Sequence, residues 1–380
     1  MGPHGAKTWV EIDARALSKN LNQLRGLLQG ESQLCPIVKA NAYGHHLETM
    51  VRLLTTEGVG LFGVDSIDEA ILVRKLAPDA EIFILGYTVP ERLVDVIHNR
   101  IIQTVYDSPT LEKLIDLAAH EQSRALINIK LETGLNRQGI SNRQLQDLIR
   151  TIKANTHWVE LRGISMHFAE SENTENQNFS LLQLDNFTNQ IQNLKTQGID
   201  PPFIHASCSA AFMALPKSQF TMSRPGVAIY GLWPSDGIRQ MMRLKGLELS
   251  PVLSWKTRIA QIKDLASGET VGYGRTFKAD RPMRIAVLPV GYYDGYRRHL
   301  NNRGHVLISG RKCNIIGNIC MNMCMVDVSQ IPQIGTGDIV TLLGRDGMNQ
   351  VTAEDLAELY GTINYEVVTT INPLLPRIVC

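Results

Sequence analysis

The sequence has no apolar run near the ~20 residues that a membrane-spanning helix needs, and its first residues show no signal-peptide pattern. Charge of neither sign is in excess, since 38 Lys and Arg stand against 37 Asp and Glu, and no basic field favours nucleic acid. The six cysteines form no CxxC pair and have no histidines at zinc-ligand spacing, so they indicate neither a disulfide framework nor a metal site. These absences predict a cytoplasmic protein that binds neither membrane nor nucleic acid, with residues 1–5 as an unstructured lead.

What the sequence does contain is a regular alternation of strand and helix patterns over its first two-thirds. With 380 residues, of which 44% are hydrophobic, the chain is long enough for about two domains. Eight apolar segments have the length and composition of strands: 34–38, 60–64, 81–86, 101–106, 125–131, 161–168, 202–206 and 223–230. Helix patterns separate them, at 47–57, 66–77, 90–99, 109–120, 141–154, 179–197 and 209–214. Eight strands in this rhythm predict a closed (β/α)8 TIM-type barrel.

The pattern changes beyond about residue 247. Short strand candidates at 252–262, 283–290, 305–308, 313–319, 323–328 and 339–343 are separated by Gly, Asp and Asn turns, and one helix is predicted at 353–360 with Thr352 as its cap. We therefore predict a barrel domain over 9–240 and a β-rich C-terminal domain over 241–380. Residues 6–12 are a candidate strand that pairs with this second domain.

Lys39 is the first residue that suggests chemistry. It ends the apolar segment 34–38 and precedes Asn41 and Gly44, which favour a turn. A lysine at the carboxyl end of a buried strand is partly withdrawn from water and can act as an amine nucleophile or base. Tyr43 follows four residues later and is placed to direct its phenol to the same region.

Further candidate residues lie at or beside the later predicted strands, and in a barrel the carboxyl ends of the strands meet at one mouth. Lys130 and Arg137 flank the fifth strand, His167 closes the sixth, Ser209 starts the helix after the seventh, and Arg224, Gly226 and Val227 lie on the eighth. Each has an ordinary structural explanation by itself: a core histidine, a helix cap, a turn before a strand. Their common position is what those explanations do not predict. Ser209 at a helix start and the backbone N–H groups of Gly226 and Val227 suit a phosphate group.

The stretch 36–45 (PIVKANAYGH), with the segments 205–211, 224–231, 271–277 and 291–295, resembles the alanine racemase family. The resemblance runs from Val10 to Arg377, and it implies a barrel followed by a β domain. It also implies pyridoxal 5′-phosphate carried by Lys39, with Tyr43, Ser209, Gly226 and Val227 holding the phosphate. By the same resemblance His167 lies against the ring, and Arg224 faces the pyridine nitrogen. A guanidinium only donates hydrogen bonds, so the ring nitrogen stays unprotonated, which favours racemisation over transamination.

Racemisation needs a proton removed from one face of Cα and returned to the other, hence two bases. The resemblance assigns these to Lys39 and to Tyr273 of the other subunit in a homodimer with shared sites, with His167 supporting Tyr273. It places Arg137, Tyr292 and Met321 near the substrate carboxylate. In the family Lys130 is often carbamylated, which makes it an anion that orients Arg137.

The predicted function is an isomerase that interconverts L- and D-alanine and supplies D-alanine for peptidoglycan. Asn322, Cys208 and Pro373 depart from the common family pattern, and Pro373 replaces a tyrosine that narrows the pocket entrance. A serine or broad-specificity racemase is therefore the alternative. A non-catalytic pyridoxal-phosphate-binding protein is a second alternative, which the β domain argues against. A hydrolase that uses Glu170 and Glu172 is a third, but these acids lie in a polar stretch typical of a solvated loop.

Overall fold

The computed structural model describes residues 5–380, so the first four residues of the predicted lead lie outside the described part. The chain divides into two compact units. One, the barrel unit, comprises Ser18–Ala42 and Leu47–Ser250. The other, the β unit, comprises the residues up to Leu17, Tyr43–His46 and Pro251–Cys380.

The described residues contain the following strands and helices. The strands are β1 (Thr8–Ile12), β2 (Gln33–Leu34), β3 (Leu61–Val64), β4 (Glu81–Ile84), β5 (Ile102–Val105), β6 (Ala125–Lys130), β7 (Val159–Ser165), β8 (Phe203–His205), β9 (Met222–Ser223), β10 (Leu253–Arg258), β11 (Gln261–Leu265), β12 (Thr270–Val271), β13 (Phe277–Lys278), β14 (Met283–Leu288), β15 (His305–Ile308), β16 (Arg311–Ile316), β17 (Cys324–Asp327), β18 (Ile339–Asp346), β19 (Asn349–Val351) and β20 (Arg377–Val379). The helical segments are α1 (Ala14–Arg25), α2 (Lys39–Tyr43), α3 (Leu47–Thr56), α4 (Ile67–Leu76), α5 (Leu93–His98), α6 (Ser108–His120), α7 (Asn142–Ala154), α8 (Asn178–Thr196), α9 (Ser209–Ala214), α10 (Asp236–Leu244), α11 (Ala353–Tyr360) and α12 (Asn364–Thr369).

The barrel unit is built from parallel strands in sequential order. Strands β3 to β8 form one six-stranded parallel sheet, and β2 pairs in parallel with β9. A parallel bridge between Ile37 and Gly63 joins the segment after β2 to β3, and Thr221 N–H donates to Ile204 O beside β9. These eight strands with their intervening helices confirm the predicted (β/α)8 barrel.

The barrel strands are buried on both faces, as expected for strands covered by helices. Where they begin, an apolar layer closes the barrel interior; it consists of Cys35, Leu61, Phe83, Ile102, Leu126, Phe203 and Met222. Several of the intervening helices start at side-chain caps, namely α4 at Ser66, α6 at Asp107 and α7 at Ser141; the Asp107 carboxylate accepts from Thr110 N–H at 2.8 Å. With one end of the barrel apolar, polar chemistry is confined to the carboxyl ends of the strands.

One sequence prediction for the barrel unit is wrong, and one helix was missed. The eighth strand was predicted over 223–230, but β9 ends at Ser223, and residues 226–231 form turns with Ile229 N–H bonded to Gly226 O. Pro225 has no N–H to donate, and a short apolar run does not distinguish a strand from a buried turn. Helix α10, capped by Ser235, was not predicted.

The β unit has a ten-stranded sheet in which β1 pairs antiparallel with β10 and parallel with β20. The predicted strand 252–262 is two strands, because the ladder breaks between Arg258 and Gln261. Helix α11 is confirmed with Thr352 as its cap, whereas the short helix α12 was missed. None of the described helices is long and apolar enough to cross a membrane.

Candidate functional site

Lys39 begins a backbone turn of unusual handedness. The four residues Ala40 to Tyr43 all have φ between 52° and 54°, which is the left-handed helical region. None of them is glycine, and each such residue costs about 1–2 kcal/mol. The surrounding structure must therefore impose this conformation on the segment that follows the lysine.

Side chains of the barrel unit anchor the start of this turn. Ala42 N–H donates to Val38 O at 2.8 Å, and the Asn41 carboxamide oxygen accepts from Leu47 N–H at 2.8 Å. The Lys39 ammonium lies 3.2 Å from Asp65 Oδ1, and 40% of the lysine side chain is exposed. The amine therefore sits at the open end of the barrel, within reach of a ligand. Asp65 was not among the residues predicted from the sequence.

Arg224 is buried and held by acceptors from two segments, at the ends of β7 and β8. Its guanidinium donates to Met166 O at 2.7 Å, His205 O at 2.8 Å and Ala206 O at 3.0 Å, and also to His205 Nδ1. Burial lowers the pKa of Arg224 to about 10, so it remains a cation at neutral pH. Among residues 5–380 its Nε–H has no partner, which leaves one donor for a ligand.

His205 continues this network into the barrel interior. Its Nδ1 accepts from Arg224, so in the neutral ring Nε2 carries the proton and donates to Asn128 Oδ1 at 2.9 Å. The Asn128 amide in turn donates to Ser165 Oγ at 2.9 Å and to Thr104 Oγ1 at 3.2 Å. Burial and the charge of Arg224 hold the pKa of His205 well below that of an exposed histidine. Arg224 thus rests on a neutral, hydrogen-bonded support.

His167 lies two residues beyond β7, with its Nδ1 3.4 Å from the Arg224 guanidinium. Burial lowers its pKa well below the usual value, and the charges of four cations add to the effect. These cations are Arg224, Arg137, Lys130 and Lys39. The structure therefore brings five of the predicted site residues into one electrostatic cluster, in which the imidazole is neutral.

Lys130 is the last residue of β6 and is 8% exposed. Burial, with the charges of Arg137 and Arg224, lowers its pKa to about 8. About a tenth of this amine is therefore uncharged at pH 7, and an uncharged amine can react with carbon dioxide.

Ser209 begins α9, and its hydroxyl accepts from Gly226 N–H at 2.9 Å and from Ala228 N–H at 3.3 Å. Val227 is buried between these two residues. The preceding Cys208 lies 3.2 Å from the hydroxyl of the buried Ser171. The predicted phosphate-binding residues of the barrel unit are thus brought together, with the hydroxyl and backbone N–H groups at a helix start.

The remaining predicted residues lie in the β unit. Tyr273 is 76% exposed, and Asn318 Nδ2 binds its carbonyl oxygen at 2.8 Å. Tyr292 N–H donates to Cys320 O at 3.1 Å, which joins its loop to the loop of Met321. These contacts hold Tyr273, Tyr292 and Met321 in neighbouring loops with exposed side chains. Tyr43 is half-buried, with its ring 6.1 Å from that of Tyr365.

Glu170 and Glu172, the acids of the hydrolase alternative, are both exposed. Asn128 and His205 were not among the site residues predicted from the sequence. A signal existed for Asn128, which is a polar residue inside an apolar strand.

Comparison with known proteins identifies this arrangement. The model of the alanine racemase N-terminal domain matches residues 12–234, and that of the alanine racemase C-terminal domain matches residues 252–379. An alanine racemase of Leptospira interrogans is 39% identical over 376 residues, which are 98% of this chain and 95% of the relative.

Solved structures agree. The alanine racemase of Bacillus anthracis with bound L-Ala-P superposes with a TM-score of 0.92 at 31% identity, covering 100% of this chain and 96% of the other. That of Bartonella henselae, with covalently bound pyridoxal phosphate, gives 0.85 at 26% identity, with 99% and 100% covered. Because the two domain models and these full-length matches span nearly every residue, the chain belongs to the alanine racemase family.

Proposed function

We propose that this protein is an isomerase that interconverts L- and D-alanine with pyridoxal 5′-phosphate held on Lys39. The observation that carries the proposal is the mouth of the barrel unit. There the half-exposed Lys39 lies in the same electrostatic cluster as Arg224. Arg224 is buried and is hydrogen-bonded to the neutral His205. Membership of the alanine racemase family over nearly the whole chain supports the same conclusion.

The residues present fit the cofactor. Arg224 keeps its Nε–H for a ring nitrogen, since its other donors are engaged by protein acceptors. Ser209 and Val227 offer a hydroxyl and a backbone N–H for a phosphate, and Gly226 lies beside them with its N–H bonded to the Ser209 hydroxyl. By family resemblance Tyr43 adds its phenol. When bound, pyridoxal phosphate withdraws electrons from the substrate Cα and lowers the barrier to removal of its proton.

Arg224 determines the protonation state of a ring nitrogen that faces it. Its guanidinium remains protonated at neutral pH despite its burial, so it can donate hydrogen bonds but cannot accept them. A ring nitrogen that faces it therefore stays unprotonated. Asn128 and His205 hold Arg224 in this state, because the His205 tautomer that donates to Asn128 leaves an acceptor for the guanidinium. With the cofactor bound, this arrangement would favour return of the proton to Cα.

Two bases on opposite faces of Cα are required. Lys39 supplies one. We assign the other to Tyr273 of a second subunit, in a homodimer with shared sites. Tyr273, Tyr292, Tyr293, Met321 and Met323 are all exposed in the β unit, and such exposed side chains are typical of an interaction surface. His167, neutral and placed beside Arg224, supports the second base.

Arg137 binds the substrate carboxylate in this proposal, together with Tyr292 and the Met321 backbone. As an ammonium Lys130 repels Arg137, whereas a carbamate on Lys130 attracts and orients it. The lowered pKa of Lys130, about 8, makes the uncharged amine available for this modification.

Broad specificity is the second candidate function. Pro373 is exposed in the segment where a tyrosine is common in the family, and Arg377 ties that segment by bonds to Ile371 O and Asn372 O. A pocket discriminates one methylene by only about 1–3 kcal/mol, so loss of a narrowing side chain admits serine or larger substrates.

A panel of L-amino acids, incubated with the purified protein and pyridoxal phosphate and resolved by chiral chromatography, tests the function. Dominant D-alanine supports the proposal; comparable D-serine or larger products indicate the broad racemase. No D-product despite bound cofactor contradicts both and leaves a non-catalytic binding protein.

Mixed dimers test the shared site. Lys39→Ala and Tyr273→Phe subunits are each expected to be inactive alone, and their mixture regains one intact site per mixed dimer. A site built within one subunit predicts no recovery.

The domain limits 9–240 and 241–380 and the cytoplasmic location stay predictions.

A further inference from the structure

Gln183 is a buried polar residue that has no assigned role in the reaction. It lies in the first half of α8 and is 0% exposed. Its carboxamide oxygen accepts from Ala169 N–H at 3.0 Å. Its nitrogen donates to Thr133 Oγ1 at 3.2 Å and to His167 O at 3.3 Å. The amide therefore uses its acceptor and both donor positions.

The orientation of this amide is determined by its partners. A backbone N–H can only donate and a backbone carbonyl can only accept, so the oxygen must face Ala169 and the nitrogen must face His167. All three bonds lead to the two segments that follow β6 and β7. Gln183 is therefore a fixed bridge between these segments rather than a member of one of them.

A second contact from the same helix face reaches the same segment. Phe179 lies four residues before Gln183, which places both side chains on one side of α8. A Cβ added at Gly134 would lie 2.8 Å from Phe179 Cζ, so the ring covers this glycine closely. The Gly134 N–H is itself bonded to the Glu132 carboxylate at 2.6 Å. Helix α8 thus holds two consecutive residues, Thr133 and Gly134.

The two bridged segments carry site residues. The segment after β6 holds Arg137 four residues beyond Thr133, and the segment after β7 holds His167 itself. His167 is fixed at both ends, because Gln183 binds its carbonyl while its Nδ1 lies 3.4 Å from Arg224. A displacement of the bridge therefore moves the carboxylate-binding arginine and the imidazole relative to each other.

We propose that Gln183 is a positioning residue, which sets the separation of the Arg137 segment from His167 through its bonds to Thr133, His167 and Ala169. This inference rests on the proposed racemase function. It assigns Gln183 no contact with substrate or cofactor. Its effect is to preserve the geometry in which Arg137 binds a carboxylate and His167 supports a base, and small misplacements of such groups cost up to about 100-fold in rate.

The test compares Gln183→Met, which keeps the side-chain length but removes all three bonds, with Gln192→Met on the same helix, where the glutamine is exposed. Both are measured as holoenzyme, with rates normalised to bound cofactor. We expect Gln183→Met to raise the KM for alanine and lower kcat, together reducing kcat/KM by about tenfold or more. Gln192→Met should leave both constants unchanged.

Hydrogen–deuterium exchange of the same proteins gives a readout that does not depend on activity. In Gln183→Met, peptides covering 131–140 and 166–170 should exchange faster, while other barrel peptides keep the wild-type rate. Unchanged kinetic constants, or faster exchange throughout the barrel unit with unchanged KM, would overturn the proposal in favour of a purely structural role.

Thr133→Val provides a second route if Gln183→Met does not fold. It removes only the acceptor for Gln183 and should raise KM by about threefold, whereas Thr133→Ser, which keeps the hydroxyl, should not. In the double variant, Thr133→Val should add nothing to Gln183→Met, because both break the same bridge. Independent effects would contradict the bridge. A wild-type protein without racemase activity fails the proposed function instead, and the exchange experiment still decides whether the bridge exists.

Discussion

A methyl group added at Gly163 tests the support of Arg224 without removing any polar atom. Gly163 lies in β7, and a Cβ built there would lie 2.7 Å from Asn128 Oδ1, 3.1 Å from Phe203 O and 3.3 Å from His205 Nε2. The Phe203 oxygen belongs to the backbone of β8, so it cannot move away without disturbing that strand. The methyl of Gly163→Ala therefore enters between Asn128 and His205 and weakens their hydrogen bond.

Two contributions determine how much Gly163→Ala lowers the free energy of unfolding. Overpacking a buried site by one methyl costs about 1–3 kcal/mol. Weakening one buried hydrogen bond costs about 1 kcal/mol more. Asn128 cannot move away freely, because its amide also binds Ser165 and Thr104. The free energy of unfolding of the barrel unit should fall by about 2–4 kcal/mol.

Guanidinium unfolding followed by circular dichroism and by tryptophan fluorescence measures this loss. The chain has two compact units, so the midpoint of each probe is compared separately rather than one extrapolated free energy. Gly60→Ala is the matched control, because a Cβ there meets no atom within 4 Å. A lower midpoint for Gly163→Ala alone, with reduced kcat, is expected. Equal midpoints for the two variants would refute the reasoning.

Three further results are expected. Lys39→Ala should lose racemisation by more than about 1,000-fold together with the visible absorbance of lysine-bound cofactor, whereas Lys19→Ala should retain both. Stability should fall below about pH 6.5, since His167 and His205 are neutral in the fold while the unfolded chain takes up protons there. Each histidine adds up to about 1.4 kcal/mol per pH unit, and thermal melts of His205→Asn should show a shallower dependence. Removing bicarbonate from the buffer should lower activity if Lys130 is carbamylated. An isotope-labelled bicarbonate signal that persists in Lys130→Ala would count against that assignment.

The sequence predicted the barrel well because short apolar segments alternate with amphipathic helices, and some of these helices, such as α4, α6 and α7, begin at a local cap residue. It failed at 223–230, where burial and not pairing explains the apolar residues. Helix α12 has six residues and no side-chain cap, and helix α10 buries only Ile238 and Met242, so neither shows the repeated apolar pattern of a longer helix.

The clustering of residues near strand ends could be predicted, since the carboxyl ends of barrel strands meet at one mouth. The hydrogen bonds of Asn128, His205 and Gln183 could not be predicted, because their partners lie 77, 19 and 50 residues away along the chain. Spacing along a chain does not show which distant donor meets which acceptor. The left-handed backbone conformation of Ala40 to Tyr43 could not be predicted either, because these residues include no glycine.

That left-handed segment has a consequence for attempts to make the enzyme more robust. Stabilisation schemes usually favour alanine over glycine, on the basis of helix propensity and unfolded-state entropy. At Ala40 and Ala42 the ranking is reversed, because a glycine there releases strain of about 1–2 kcal/mol. The same exchange loosens the residues next to the Lys39 amine, which acts as a base in the proposed mechanism. Glycine at these positions should therefore raise thermostability and lower turnover, and selection for heat resistance alone should enrich such glycines.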